Sequence, residues 1–297
     1  MWKLLAMALA LALPGAAQTE AALKEAEVVP TAPATIRRLV PEVQMVIAVE
    51  DHHGHPRPGL AAAQIRILDN GAAARVTSFE AAAGLPLRIA LLLDGSGSMQ
   101  AGFAAAREAG LALLRQAQNW GATPMFNIVF ATTQAEGDGT AATGVLSAGQ
   151  AEGQTALYDA LIHAAGLLAS QTSARRVLFL LSDGEDNYSR ASLADAIAAL
   201  QSQDIVVYCV AAHSARLEFL GDLVLRQIAA ATGGRAYLLS SYSHAGKAFA
   251  KIETQLRGEY VVGFRPAGRL EEGEFHSVKI TAPGAKIRAR PGYYVGR

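Results

Sequence analysis

Leu87-Arg88-Ile89-Ala90-Leu91-Leu92-Leu93-Asp94-Gly95-Ser96-Gly97-Ser98 decides the reading of this chain. Leu87 to Leu93 is a short, almost unbroken apolar run closed by a glycine-rich turn, which predicts a strand buried on both faces of a parallel sheet. An open α/β sheet presents ligand-binding groups where such a strand ends and a helix begins. Here that position holds Asp94, Ser96 and Ser98, separated by glycines that let a tight loop turn one carboxylate and two hydroxyls toward a single point. Oxygen donors of this kind suit a hard cation such as Mg²⁺, Mn²⁺ or Ca²⁺ rather than zinc or copper. By itself the pattern is equally that of a turn and a helix N-cap.

The same alternation extends outward from this strand. Met125 to Phe130, Val177 to Leu181, Ile205 to Ala211 and Ala236 to Leu239 are further buried strands, and Thr143 to Leu146 is a candidate edge strand. Between them, apolar residues recur at helical spacing in four stripes: Leu157, Leu161, Ala164 and Leu168; Leu193, Ile197 and Leu200; Leu217, Leu220, Val224 and Ile228; Ala245, Phe249, Ile252 and Leu256. Each stripe is expected to face the sheet. The alanine-rich segment Gln100 to Gln118 belongs with them, its small residues allowing close approach. The pattern predicts an α/β fold over residues 84–257, with a doubly wound, mostly parallel sheet covered by helices on both faces.

Residues 18–83 and 258–297 have another texture. Gln44 to Glu50, Gln64 to Asp69, Arg75 to Phe79, Tyr260 to Phe264, Val278 to Thr281 and Lys286 to Arg290 are short β-rich runs broken by Gly, Pro, Asn and Asp. Asp69-Asn70-Gly71 is a hairpin turn. Neither end has enough strands to bury a face alone, so the two are expected to pair into one small β-sandwich, with the α/β region inserted between its halves. Two independent hairpins are the alternative.

Two more loops join the first at the same sheet edge. Gly153-Gln154-Thr155 opens the helix of Leu157 and Leu161, and Leu180-Leu181-Ser182-Asp183-Gly184 ends a strand in a carboxylate. Thr155 alone reads as a cap and Asp183 alone as a turn residue. In the order D-x-S-x-S, T, D the set resembles the metal ion-dependent adhesion site of the von Willebrand factor type A domain. The closest turns are Asp94–Ser98, Thr155–Ala160 and Ser182–Asn187. The flanks, including Arg290-Pro291-Gly292-Tyr293, resemble a bacterial family of exported proteins related to that domain, common in Acidobacteria and poorly defined in function.

The resemblance implies a non-catalytic adhesion-type module. Ser96, Ser98 and Thr155 would coordinate the cation directly, Asp94 and Asp183 directly or through water. With only two carboxylates facing a 2+ charge, the ion would keep an open position for an Asp or Glu of a protein partner. The last helix, about His244 to Arg257, is one that shifts on ligand engagement in parts of the family.

Other classes fit less well. Lys+Arg and Asp+Glu both total 26, so no basic field points to nucleic acid or an anionic membrane. A hydrolase or phosphatase needs a base beside the metal, and His163 lies more than two helical turns from Thr155. A metal-free structural envelope protein is disfavoured by the complete five-residue set. His52, His53 and His55 read as polar turn residues, and Glu185 and Asp186 as a solvated acidic loop.

The first seventeen residues read as a secretory signal: Lys3, an apolar run from Leu4 to Leu13, and small residues before Gln18. Cleavage near Ala17 would deliver a periplasmic or secreted chain of net charge −1, with no integral membrane segment. Cys209, the single cysteine, sits in an apolar strand and reads as core.

Overall fold

The computed structural model describes residues 42–131, 134–138, 151–169, 175–213 and 219–295. The proposed leader lies outside them. Among the described residues, thirteen strands run in chain order: β1 Val43–Glu50, β2 Arg66–Asp69, β3 Ala72–Ala81, β4 Leu87–Asp94, β5 Ala122–Phe130, β6 Gln134–Asp138, β7 Arg175–Leu181, β8 Ile205–Ala212, β9 Arg235–Leu239, β10 Glu259–Arg265, β11 Phe275–Thr281, β12 Lys286–Arg288 and β13 Gly292–Tyr294. The helices are α1 Phe103–Asn119, α2 Leu157–Ala169, α3 Leu193–Ser202, α4 Leu220–Thr232 and α5 Ala245–Arg257.

Among the described residues, six strands form the central sheet in the order β6-β5-β4-β7-β8-β9, with every pairing parallel except that of β5 with β6. Alternate side chains of β4 explain why the strand is apolar throughout. Ile89, Leu91 and Leu93 pack with Phe103, Leu113, Phe249 and Ile252 of α1 and α5, whereas Ala90 and Leu92 pack with Leu157, Leu161, Leu200 and Ile228 of α2, α3 and α4. Gly110 lets α1 settle on the sheet, since a Cβ there would stand 2.9 Å from Leu91 Cδ2. Cys209 is fully buried in β8, and burial pushes its thiol well above the usual range.

One expectation needs correction and another lies outside the described residues. The candidate edge strand Thr143 to Leu146 is not among the described residues, and an antiparallel strand at that side of the sheet is formed by Gln134–Asp138. Its sequence, Gln-Ala-Glu-Gly-Asp, has no apolar alternation, so only the backbone ladder to β5 identifies it. Leu220 does not face the sheet: it is 84% exposed, and Leu225, Ile228 and Ala229 bury that helix instead. Leu217 lies outside the described residues.

The terminal segments do pair. β12-β1-β10-β3-β2-β11-β13 is one antiparallel sheet, curled around Met45, Ile47, Ile67, Val262, Phe264 and Tyr293 in the manner of a small sandwich. Asn70 (φ 47°) and Gly71 (φ 82°) make the predicted hairpin turn between β2 and β3. Buried charge joins this sheet to the α/β layer. Arg175 Nη2 donates to Glu259 Oε2 (2.6 Å) and to the Leu256 carbonyl (2.7 Å), with both side chains almost fully buried.

Candidate metal centre

β4 carries Asp94 to the C-terminal edge of the sheet, where it is completely buried. Asp94 Oδ1 accepts from the Ser96 amide (3.0 Å), and Oδ2 accepts from Ser182 Oγ at 2.6 Å. Burial pushes the Asp94 carboxyl up to about 6 against the lowering effect of these hydrogen bonds, and the Asp183 charge adds to the rise. Ser96 Oγ and Ser98 Oγ are 3.1 Å apart, the first buried and the second on an exposed residue. Gly95 lets the loop lie close to β5, since a Cβ there would stand 2.8 Å from Val129 Cγ1.

Backbone hydrogen bonds tie this loop to the one bearing Thr155. Gly95 N donates to Phe130 O (2.8 Å), Glu152 N to Gly95 O (2.8 Å), and Gly97 N to Gly153 O (2.9 Å). Thr155 is buried at the entrance to α2, and its amide donates to Asn187 Oδ1 at 2.8 Å. In return Asn187 N and Tyr188 N donate to Thr155 O. The third loop is held to the first through Ser182, whose hydroxyl also accepts from Gly184 N at 2.9 Å. Asp183 is half-buried, and its Oδ1 accepts from Glu185 N. Gly184 has φ +83°, and a Cβ there would collide with the Gly221 carbonyl.

All five residues singled out in the sequence therefore sit on three mutually bonded loops at one sheet edge. Several supporting roles were not read from the sequence. Ser182 fixes Asp94, and its signal was a lone hydroxyl directly after the apolar run Val177 to Leu181. Asp186 is not part of a merely solvated acidic loop: it is half-buried, and its Oδ2 accepts from Tyr158 N (3.0 Å) and Ser189 Oγ (2.5 Å). Asp159 answers from α2 by accepting the amides of Arg190 and Ala191. Segment 186–191 is thereby strapped across the start of α2. Glu185 is exposed, as expected.

The chemistry of the donor set fits a hard cation. It comprises three hydroxyls and two carboxylates, and among the described residues neither Asp94 nor Asp183 forms an ion pair with a cationic side chain. A completely buried carboxylate without such a partner is costly. No three His, Cys, Asp or Glu among the described residues are grouped to hold a metal, which leaves the His52, His53 and His55 turn without a metal cluster. His163 is exposed on the second turn of α2.

Residues 89–251, more than half of the chain, match the family model for the von Willebrand factor type A domain. No curated protein matches the chain. Among solved structures, von Willebrand factor type A from Catenulispora acidiphila is 15% identical at TM-score 0.48, with 84% of this chain and 73% of that chain covered. The PilB minor pilin from Streptococcus sanguinis is 14% identical at TM-score 0.46, covering 59% and 62%. The conserved hypothetical protein BatB from Bacteroides thetaiotaomicron is 17% identical at TM-score 0.45, covering 58% and 98%. The chain spans less than two thirds of the length of the pilin.

Proposed function

Because the chain belongs to the von Willebrand factor type A domain family, we propose that Asp94, Ser96, Ser98, Thr155 and Asp183 hold a divalent Mg²⁺, Mn²⁺ or Ca²⁺ ion that captures a carboxylate of a protein partner. Domains of this family are protein-interaction modules, generally without catalysis. The observation that carries the finer reading is the pair of hydroxyls, Ser96 Oγ and Ser98 Oγ, 3.1 Å apart beside a buried carboxylate that has no cationic side chain bonded to it. A bound cation would offset the cost of that burial and add the charge that recognises an acid. Ser182 aims Asp94, and the backbone bonds between loops hold Thr155 and Asp183 at the same edge.

Two carboxylates and three neutral hydroxyls leave a 2+ ion electron-poor, so an external Asp or Glu would complete its shell. The partner would be a protein, not nucleic acid, and the role non-catalytic adhesion. Export after cleavage near Ala17, to the periplasm or beyond the cell, belongs to the same proposal and rests on the leader composition. No helix among the described residues is long and apolar enough to cross a membrane.

Calorimetric titration of the protein with Mg²⁺ and Mn²⁺, beside Asp94→Ala, tests the reading. Saturable heat lost in the variant is the expected result; identical heats for both proteins would end it.

A further inference from the structure

Of the six large hydrophobic side chains exposed among the described residues, three, Phe219, Leu220 and Leu223, lie at the start of α4, and a fourth, Tyr188, lies in the segment bonded to Thr155. The other two, Leu68 and Phe275, belong to the terminal sheet. Such clustering is informative, whereas scattered exposed apolar residues are not.

Leu220 is 84% exposed and Leu223 51%, and they stand three residues apart on α4, on one side of the helix. Leu225, Ile228 and Ala229 bury the opposite side, so the sheet does not need Leu220 or Leu223. Gly221, between them, packs its backbone directly on Asp183 and Gly184. The first turn of α4 is thus fixed against the loop that carries a proposed metal ligand. His213 and Asp222 hold that turn in place: His213 Nε2 lies 2.7 Å from Asp222 Oδ1, Asp222 Oδ2 accepts from Phe219 N, and the His213 ring stands 4.8 Å from the Phe219 ring. From the other loop, Tyr188 is anchored by its amide to Thr155 O while the residue is 54% exposed.

We infer that Phe219, Leu220, Leu223 and Tyr188 form an apolar docking shelf beside the candidate metal, fitted to a protein segment in which an Asp or Glu lies within two residues of a large apolar side chain. This rests on the metal reading above, which supplies the carboxylate requirement. The shelf adds a selection among acidic partners. A segment with a carboxylate alone would satisfy the ion and leave two leucines in water, whereas one with an apolar neighbour buries them as well. The anchor and the shelf share the Asp183–Gly184 loop, so one short segment can reach both.

The test uses a phage-displayed library of disulfide-constrained heptapeptides, selected on the full chain in millimolar Mg²⁺. Enriched peptides should pair Asp or Glu with Leu, Ile, Phe, Trp or Tyr within two positions and should elute with EDTA. Against Leu220→Ser/Leu223→Ser, both surface changes, they should bind roughly ten- to a hundredfold more weakly. Mg²⁺ affinity of that variant, read by calorimetry, should be unchanged. Acidic peptides without apolar neighbours, or peptides that bind the double variant equally well, would overturn the shelf and leave the metal reading standing. Peptides that ignore both EDTA and Asp94→Ala would overturn both, and an empty selection would overturn the shelf. So would chelator-insensitive binding to phosphatidylcholine vesicles that the double variant loses, since the shelf would then serve a lipid surface.

Discussion

Replacing Ser182 by alanine removes one oxygen from a fully buried position and leaves two polar groups without their partner. Asp94 Oδ2 loses a 2.6 Å hydrogen bond and the Gly184 amide loses a 2.9 Å acceptor. A hydrogen bond to a charged group contributes about 1.5–3 kcal/mol, and a buried amide left unpaired costs about 1–3 kcal/mol. Loop relaxation and an entering water offset part of the total, so Ser182→Ala should destabilise the metal-free protein by about 2–4 kcal/mol. Urea unfolding in EDTA reads this as a lower midpoint at unchanged slope. With Asp94 no longer aimed, Mg²⁺ affinity should also fall by about 10–100-fold. A stability change under about 0.5 kcal/mol, the range of an ordinary surface substitution, would refute the role given to Ser182.

Further substitutions test other parts of the structure. Glu259→Gln removes the carboxylate charge facing the buried Arg175 guanidinium and should cost about 3–5 kcal/mol by urea unfolding, whereas Arg175→Met/Glu259→Leu should recover most of the loss. Gly184→Ala meets both a φ of +83° and the Gly221 carbonyl, so thermal unfolding should show a clear loss of stability together with weaker Mg²⁺ binding. Tyr293→Phe deletes the hydroxyl that donates to Asp69 Oδ2 at 3.1 Å in the terminal sheet and should cost about 1–2 kcal/mol, leaving Mg²⁺ binding unaltered.

The central sheet was legible because strands buried on both faces must be apolar at every position, as Leu87 to Leu93 is. The place of the Asp94, Ser96 and Ser98 loop at the sheet edge was legible because these residues sit at fixed offsets after such a strand. What stayed hidden depends on partners distant in sequence. Ser182 and Asp186 look like ordinary loop residues until Asp94 and the Tyr158 amide arrive from other elements. Helix α4 was misphased at Leu220 because apolar residues occupy two of its faces, and spacing alone does not say which one meets the sheet. The edge strand Gln134–Asp138 escaped notice because an edge held by backbone bonds needs no apolar pattern. Pairing of the two termini was deducible from their shortage of strands; its form as one curled seven-stranded sheet was not.

The most direct test of the proposed role is anomalous diffraction at the manganese edge from crystals of this protein grown with Mn²⁺. The account predicts a single strong peak with Ser96 Oγ, Ser98 Oγ and Thr155 Oγ1 at about 2.0–2.6 Å, the span of hard-cation bonds to oxygen, and with one coordination position not filled by the chain. A peak elsewhere, or no peak at saturating Mn²⁺, would contradict it.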